Sequence, residues 1–428
     1  MIKLTQRSNT VLFATVLGLA APAALANHLY TAVNMMSCEL LLIDIDRDIL
    51  IKHPLAGLPG MPQAVCQHTW VTPDEKTIYI STNTNETYGA SIVTLKVDGI
   101  DFDAGRADIR LTHVLEVDKP GTQPNFPVVT QTSETQPIPP WWFPTVSQVH
   151  APTMLPGTKF SFTTGWTDNR IRSFKTNAQG LTTPVQMNSF GSRSAQKHGV
   201  NFNLAGTLGI SAGYHLDQGT IEVFVPNKST GAVSWKRSIP LGTKKSYAAF
   251  SHYTTWIDNR YAVVGTMQLG PTSLTPTDGS VIGPSIWLID ARNGTSKMIV
   301  GTASSVDAPG IYRSASSVSI AHDKMYVAEE DSMDSVFGQE GYISIFDIAD
   351  INHPVFIKRM RPGRELPHDF VNGHTSLSTT DETAVMVSSF VSNHIVKIDP
   401  VTDEVVKVWD MQDGLDMPHG EFISGRYQ

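Results

Sequence analysis

"GHTSLSTTDETAVMVSSFVSNHIVKID", residues 373–399, opens on a lone histidine, His374, and breaks into short apolar runs separated by polar turns. A strand after His374 is followed by the turn Thr380-Asp381-Glu382 and the strand "AVMVSSF". After a gap comes "HIVKIDP", which runs on into "EVVKVWD". Four short strands in succession are the grammar of one β-propeller blade.

The unit repeats. It recurs at "HTWVTPDEKTIYIST" from His68, "HAPTMLPGTKFSFTTG" from His150, "HGVNFNLAGTLGISAG" from His198 and "HYTTWIDNRYAVVGT" from His252. A sixth copy, "SSVSIAHDKMYVAEED", has serine where the others have histidine, and counting back from Met325 places Ser316 in that slot. The seventh is split: "HGEFISGRYQ" from His419 supplies a first strand, while "HLYTAVN" and "ELLLIDID" near the other end supply the next two. These repeats predict an all-β, seven-bladed β-propeller closed by pairing of its N- and C-terminal strands. Patterns of helical period are absent, and the slots are spaced by about one blade except across one long insertion.

Bulk properties agree with one large globular domain and narrow the partners. The 428 residues are 41% hydrophobic and 17% charged, with a net charge of −8 and no basic run, which argues against nucleic acid. Lys3 and Arg7 precede the apolar run "VLFATVLGLAAPAALA", which ends in Ala24-Leu25-Ala26. Residues 1–26 are therefore expected to be a cleaved secretory signal and 27–428 the propeller, in the periplasm. Without Lys3 and Arg7 the net charge becomes −10. No other apolar stretch approaches the roughly 18 residues of a membrane span. Cys38 and Cys66 are the two cysteines. Either they form a disulfide, as an exported pair does, or Cys66 is a thiolate ligand on the strand face of His68. No CxxCH is present for covalent haem.

The first strand of a propeller blade is innermost, so residues at its start face the central channel. His68, His150, His198, His252, His374 and His419 occupy that slot in six blades, and their imidazoles are expected to converge on the axis. One such histidine would ordinarily be a hydrogen-bonded channel residue. Six from a total of 14 point to a metal. Imidazole suits copper, zinc, iron and nickel, and without an acidic cluster calcium and magnesium are disfavoured. Six rings are more than one ion needs, so several ions per chain are expected, copper ahead of zinc.

In these features the chain resembles the catalytic domain of the nitrous oxide reductases and, more closely, the thiocyanate dehydrogenases, periplasmic copper propellers with one histidine per blade at the channel mouth. The nitrous oxide reductases add a cupredoxin-like domain and use seven histidines including an adjacent pair, whereas here there are six single ones. The thiocyanate enzymes are propellers alone with a trinuclear site. The resemblance implies copper-dependent oxidation of a small sulfur or nitrogen compound, with electrons passed to an external cytochrome c.

Other candidates follow from strand direction, since the second strand of a blade returns to the histidine face. In the serine blade it ends at Glu329 and Glu330, either of which could be a general base or simply part of a solvated loop. Lys197 and Arg313 stand at the same mouth, as holders of a small anionic substrate or as surface charges. The Pro-rich inter-blade segment at about 118–146 carries Trp141 and Trp142. It reads as a stiff lid, an excursion between blades, or a homodimer contact. Two further readings stay open: a non-enzymatic propeller for metal binding or protein interaction, and a propeller lactonase. The latter is the weaker, because such enzymes rely on carboxylates and one histidine.

Overall fold

A computed structural model describes residues 28–62, 65–83, 90–118, 128–131, 149–150, 152–165, 170–190, 196–214, 218–248, 250–267, 280–330 and 340–423. The chain forms a β-propeller of seven four-stranded antiparallel blades. Among the described residues the single helical element is a 3-10 turn, Met411–Asp413. The proposed signal segment and Trp141 and Trp142 lie outside the described residues.

The inner strands of blades 1 to 6 are Val65–Val71, Thr153–Met154, Gln196–Phe202, Phe250–Trp256, Ser314–Ala321 and Thr375–Ser378. Blade 7 is the split one. Its inner strand is Pro418–Ile423, followed outward by Leu29–Asn34, Glu39–Asp44 and Ile49–Pro54. Val33 pairs with His419 and Tyr30 with Ile423, so strands from the two ends of the chain close the ring. The disulfide Cys38–Cys66 ties the turn after Leu29–Asn34 to the inner strand of blade 1 across this seam. Both sulfurs are thereby consumed, which removes the thiolate-ligand reading of Cys66.

Burial follows position within a blade. The third strand of blade 4, Ser285–Asp290, is buried along its whole length, because both faces pack against neighbouring blades. Outer strands are half-exposed instead: Val355 and Ile357 of Val355–Met360, and Glu404 and Val406 of Glu404–Trp409, turn to solvent. The apolar core is thus divided into clusters lying between adjacent blades, such as Val318, Met325 and Val327 of blade 5 against Val263 and Ile286 of blade 4. Around the axis the inner strands meet through hydroxyls and amides. Asn201 donates to the Thr254 carbonyl at 2.7 Å and Ser319 bonds Ser376 at 2.7 Å, while Thr31 on the second strand of blade 7 bonds Thr69 at 3.1 Å.

One further device repeats in every blade. An Asp or Asn near the end of the third strand accepts backbone N–H groups of the following turn: Asp44, Asp101, Asn177, Asn227, Asp290, Asp347 and Asp399. Such Asx turns satisfy the chain reversal locally, leaving the blade register to the apolar strands. The insertion between blades 1 and 2 is more than a loop. Its Val128–Gln131 runs parallel to the outer strand of blade 2, Thr182–Phe190, as a fifth strand.

Candidate metal centre

All six slot histidines are buried, within or just before their inner strands. Side chains on a regular strand alternate, and a break in register lets a histidine and its neighbour face the same side. The inner strand supplies one. The pairing shifts by one residue between Cys66 and His68, His198 and Asn201, Ser251 and Thr254, and Ala315 and Ser317, and again opposite Gly420–Phe422. These β-bulges lie at or beside the slot in five of the seven blades, where such an extra residue re-aims a side chain. In blade 3 Gly199 follows the histidine with φ +74°, a conformation glycine adopts without strain, and an added Cβ would stand 3.7 Å from His150 Nδ1.

The imidazoles form a closed circuit. Ring centroids are separated by 4.1 Å from His68 to His150, 3.9 Å from His150 to His198 and 3.9 Å from His198 to His252. The circuit continues with 5.3 Å from His252 to His374, 4.7 Å from His374 to His419 and 4.4 Å from His419 back to His68. The widest step is the one that spans the seventh slot. Ser316 sits there, with its hydroxyl 3.2 Å from His252 Nδ1 and 3.3 Å from His374 Nδ1, and its carbonyl 2.7 Å from His252 Nδ1.

Burial disfavours the charged form of four of these rings. Desolvation, reinforced by the neighbouring imidazoles, holds His68, His150 and His198 well below the ordinary histidine range. Desolvation likewise lowers His252 to about 3, although nearby Glu330 pulls in the other direction. Neutral imidazoles with converging nitrogens are what a metal ion requires of its ligands. A histidine set with one carboxylate matches the donor chemistry of copper or another borderline ion. The carboxylate is Glu330, buried and 2.8 Å from His374 Nδ1, and the ligand atoms of His252, Glu330 and His374 all lie within 4.8 Å of one another.

The sequence matches no family model and no curated protein. Its likeness is to solved propellers. A candidate 6-phosphogluconolactonase from Bacteroides uniformis superposes with TM-score 0.60 at 13% identity over 93% of this chain and 99% of that one. A functionally unknown protein from Desulfotomaculum acetoxidans gives 0.59 at 11% identity over 92% and 98%. The dihydro-heme d1 dehydrogenase NirN gives 0.50 at 15% identity over 92% and 74%. At these identities the comparisons establish the propeller fold alone.

The remaining candidates are dispersed. Glu329 points away from the ring into the blade. Its carboxylate accepts from the Tyr312 and Arg313 amides at 2.9 and 2.6 Å, from the Ser344 hydroxyl, and from Arg359 Nε at 3.2 Å. Arg313 is partly exposed, 3.5 Å from Glu340 and stacked on the ring of Tyr312. Lys197, beside His198, is fully buried, so it is not one of the surface charges.

Tyr253 is the residue that strand reading misses. It follows His252 inside the bulge, and its ring lies 4.8 Å from His252, 5.0 Å from His198 and 5.5 Å from His150. Regular alternation would turn it away from the channel, and no residue-type signal marks it. Together with His150 it borders a cavity of about 30 Å³ below the ring, lined by Thr254, Ser317 and Ser376 among others.

Proposed function

We propose that the protein is a periplasmic copper-dependent oxidoreductase that oxidises a small sulfur or nitrogen compound, thiocyanate being the case suggested by resemblance, and passes electrons to an external cytochrome c. The observation that carries this reading is the closed circuit of six buried imidazoles with Glu330 at its widest step. Copper bound there would supply one-electron redox capacity and a Lewis acid beside the substrate. His68, His150, His198, His252, His374 and His419 would hold it, about two rings to each of several ions.

The chain's own groups divide the remaining work. His68, His150, His198 and His252, held neutral by burial, can donate lone pairs without first losing protons. Glu330, already within hydrogen-bond reach of His374, would take a proton from water at the gap left by Ser316. Arg313, partly exposed beside Glu340, would attract a small anion. Lys197, buried beside His198, would restrict which anion is accepted. A lactonase reading would need a carboxylate set, and the ring offers one carboxylate among six imidazoles.

Elemental analysis of the purified protein, combined with cytochrome c reduction by thiocyanate and related small anions, tests the proposal. About three coppers per chain with turnover is the expected result. No copper after loading defeats it, and full copper without turnover leaves the non-enzymatic metal-binding propeller in its place. His374→Ala should lose copper and electron transfer together while staying folded, because blade packing rests on the apolar strand faces.

A further inference from the structure

Resting on the metal-centre reading above, we propose that Tyr253 is a ligand: its phenol oxygen, with His150 Nε2 and His198 Nε2, forms a metal position separate from the His252, His374 and Glu330 group. The two imidazole nitrogens stand 3.0 Å apart, and the phenol oxygen stands 3.5 Å from His150 Nε2. Two donors each about 2.0–2.1 Å from a tetrahedral ion are separated by roughly 3.3 Å. These two separations bracket that edge.

The backbone explains why a tyrosine can reach this place. His252 and Tyr253 both lie within the register shift between Ser251 and Thr254, so consecutive side chains face the channel. Tyr253 then leans across the ring toward His198 and His150, which come from the two preceding blades. Gly199, with no side chain, leaves room between them: an added Cβ would stand 3.9 Å from Tyr253 Cε1. The circuit is therefore built of unlike positions. One pairs two imidazoles with a carboxylate, another pairs two imidazoles with a phenol, and His68 and His419 complete it between them.

The competing account is that His150 and His198 share an ordinary hydrogen bond and the phenol is a bystander. Titration of the purified full-length protein with copper(II) sulfate separates the two, read by copper per chain, visible absorption and resonance Raman scattering. The wild type should develop a tyrosine-to-copper charge-transfer band with enhanced tyrosine ring modes. Tyr253→Phe, which keeps the ring and its packing, should lose the band and bind one copper at least about tenfold more weakly while retaining the others. That is the lower end of what removing even a ligand's supporting partner costs. Tyr261→Phe, on the second strand of the same blade, should retain the band. Full copper loading of the wild type without the band, or a band that survives in Tyr253→Phe, overturns this assignment and leaves the functional proposal standing. A wild type that binds no copper defeats both.

Discussion

Blade 5 and the other six blades solve the same geometric problem differently. Elsewhere the slot holds an imidazole, and the second strand ends in small or neutral residues: Ser81-Thr82-Asn83 in blade 1, Gly265-Thr266-Met267 in blade 4 and Val387-Ser388-Ser389 in blade 6. In blade 5 the slot holds Ser316, and the second strand ends in Ala328-Glu329-Glu330. The missing ring is thus offset from the adjacent strand by a carboxylate that reaches the same gap. A propeller frame lets one blade change donor chemistry without disturbing the circuit, because each blade carries its own turns and apolar faces.

The largest effect expected from this contrast is on pH dependence. For the metal-free protein, His252 titrates near 3 when folded and near 6.5 when unfolded, so the unfolded chain binds the extra proton. The stability this contributes is fully present above about pH 6.5, falls as the pH drops, and is gone below about 3. It amounts to something on the order of 5 kcal/mol for that one ring. His68, His150 and His198 act in the same direction. The denaturation midpoint of metal-stripped protein should therefore fall steeply between pH 7 and 5. Glu330→Gln should extend His252's window to still lower pH, since the carboxylate is what raises that ring. A flat profile would break the account of the ring as buried and neutral.

Next in size is the difference between two adjacent glutamates. Glu329→Gln leaves Arg359 wholly buried without its ion-pair partner and should cost about 3–5 kcal/mol of stability. Glu330→Gln should leave the fold nearly unchanged and slow the step that takes a proton from water. Chemical denaturation and steady-state rates of both variants decide the matter, and equal destabilisation would erase the distinction drawn between the two side chains.

That pair also marks how far the sequence could be read. The propeller and its closure were legible because a polar turn between apolar strands recurs at one interval, and because each end of the chain lacks the strands the other has. The meeting of six imidazoles follows from one residue per blade at the same depth. Which of Glu329 and Glu330 faces the gap depends on the bulge between Ala315 and Ser317 and on Arg359, some thirty residues away, and neither has a local signature. Tyr253 escaped notice for the same reason: strand alternation assigns faces correctly only until a bulge intervenes. The Asp or Asn that heads the turn after every third strand was visible throughout, and would have given the seven-blade count independently of any histidine.

Smaller effects should come from the seventh slot itself. Ser316→His places an imidazole where the hydroxyl already touches both His252 and His374 and where Glu330 fills the remaining room. Overpacking of a formed core typically costs about 1–3 kcal/mol, and the variant should melt lower than the wild type despite completing the histidine set. Ser316→Ala is milder. It removes the hydroxyl and keeps the carbonyl bonded to His252, so it should cost about 1 kcal/mol. Copper stoichiometry should stay as in the wild type in Ser316→Ala and fall in Ser316→His, because only the latter crowds the flanking His252 and His374. If Ser316→His instead binds more copper and melts higher, blade 5 carries a simple vacancy, and the carboxylate is not the partner of that gap.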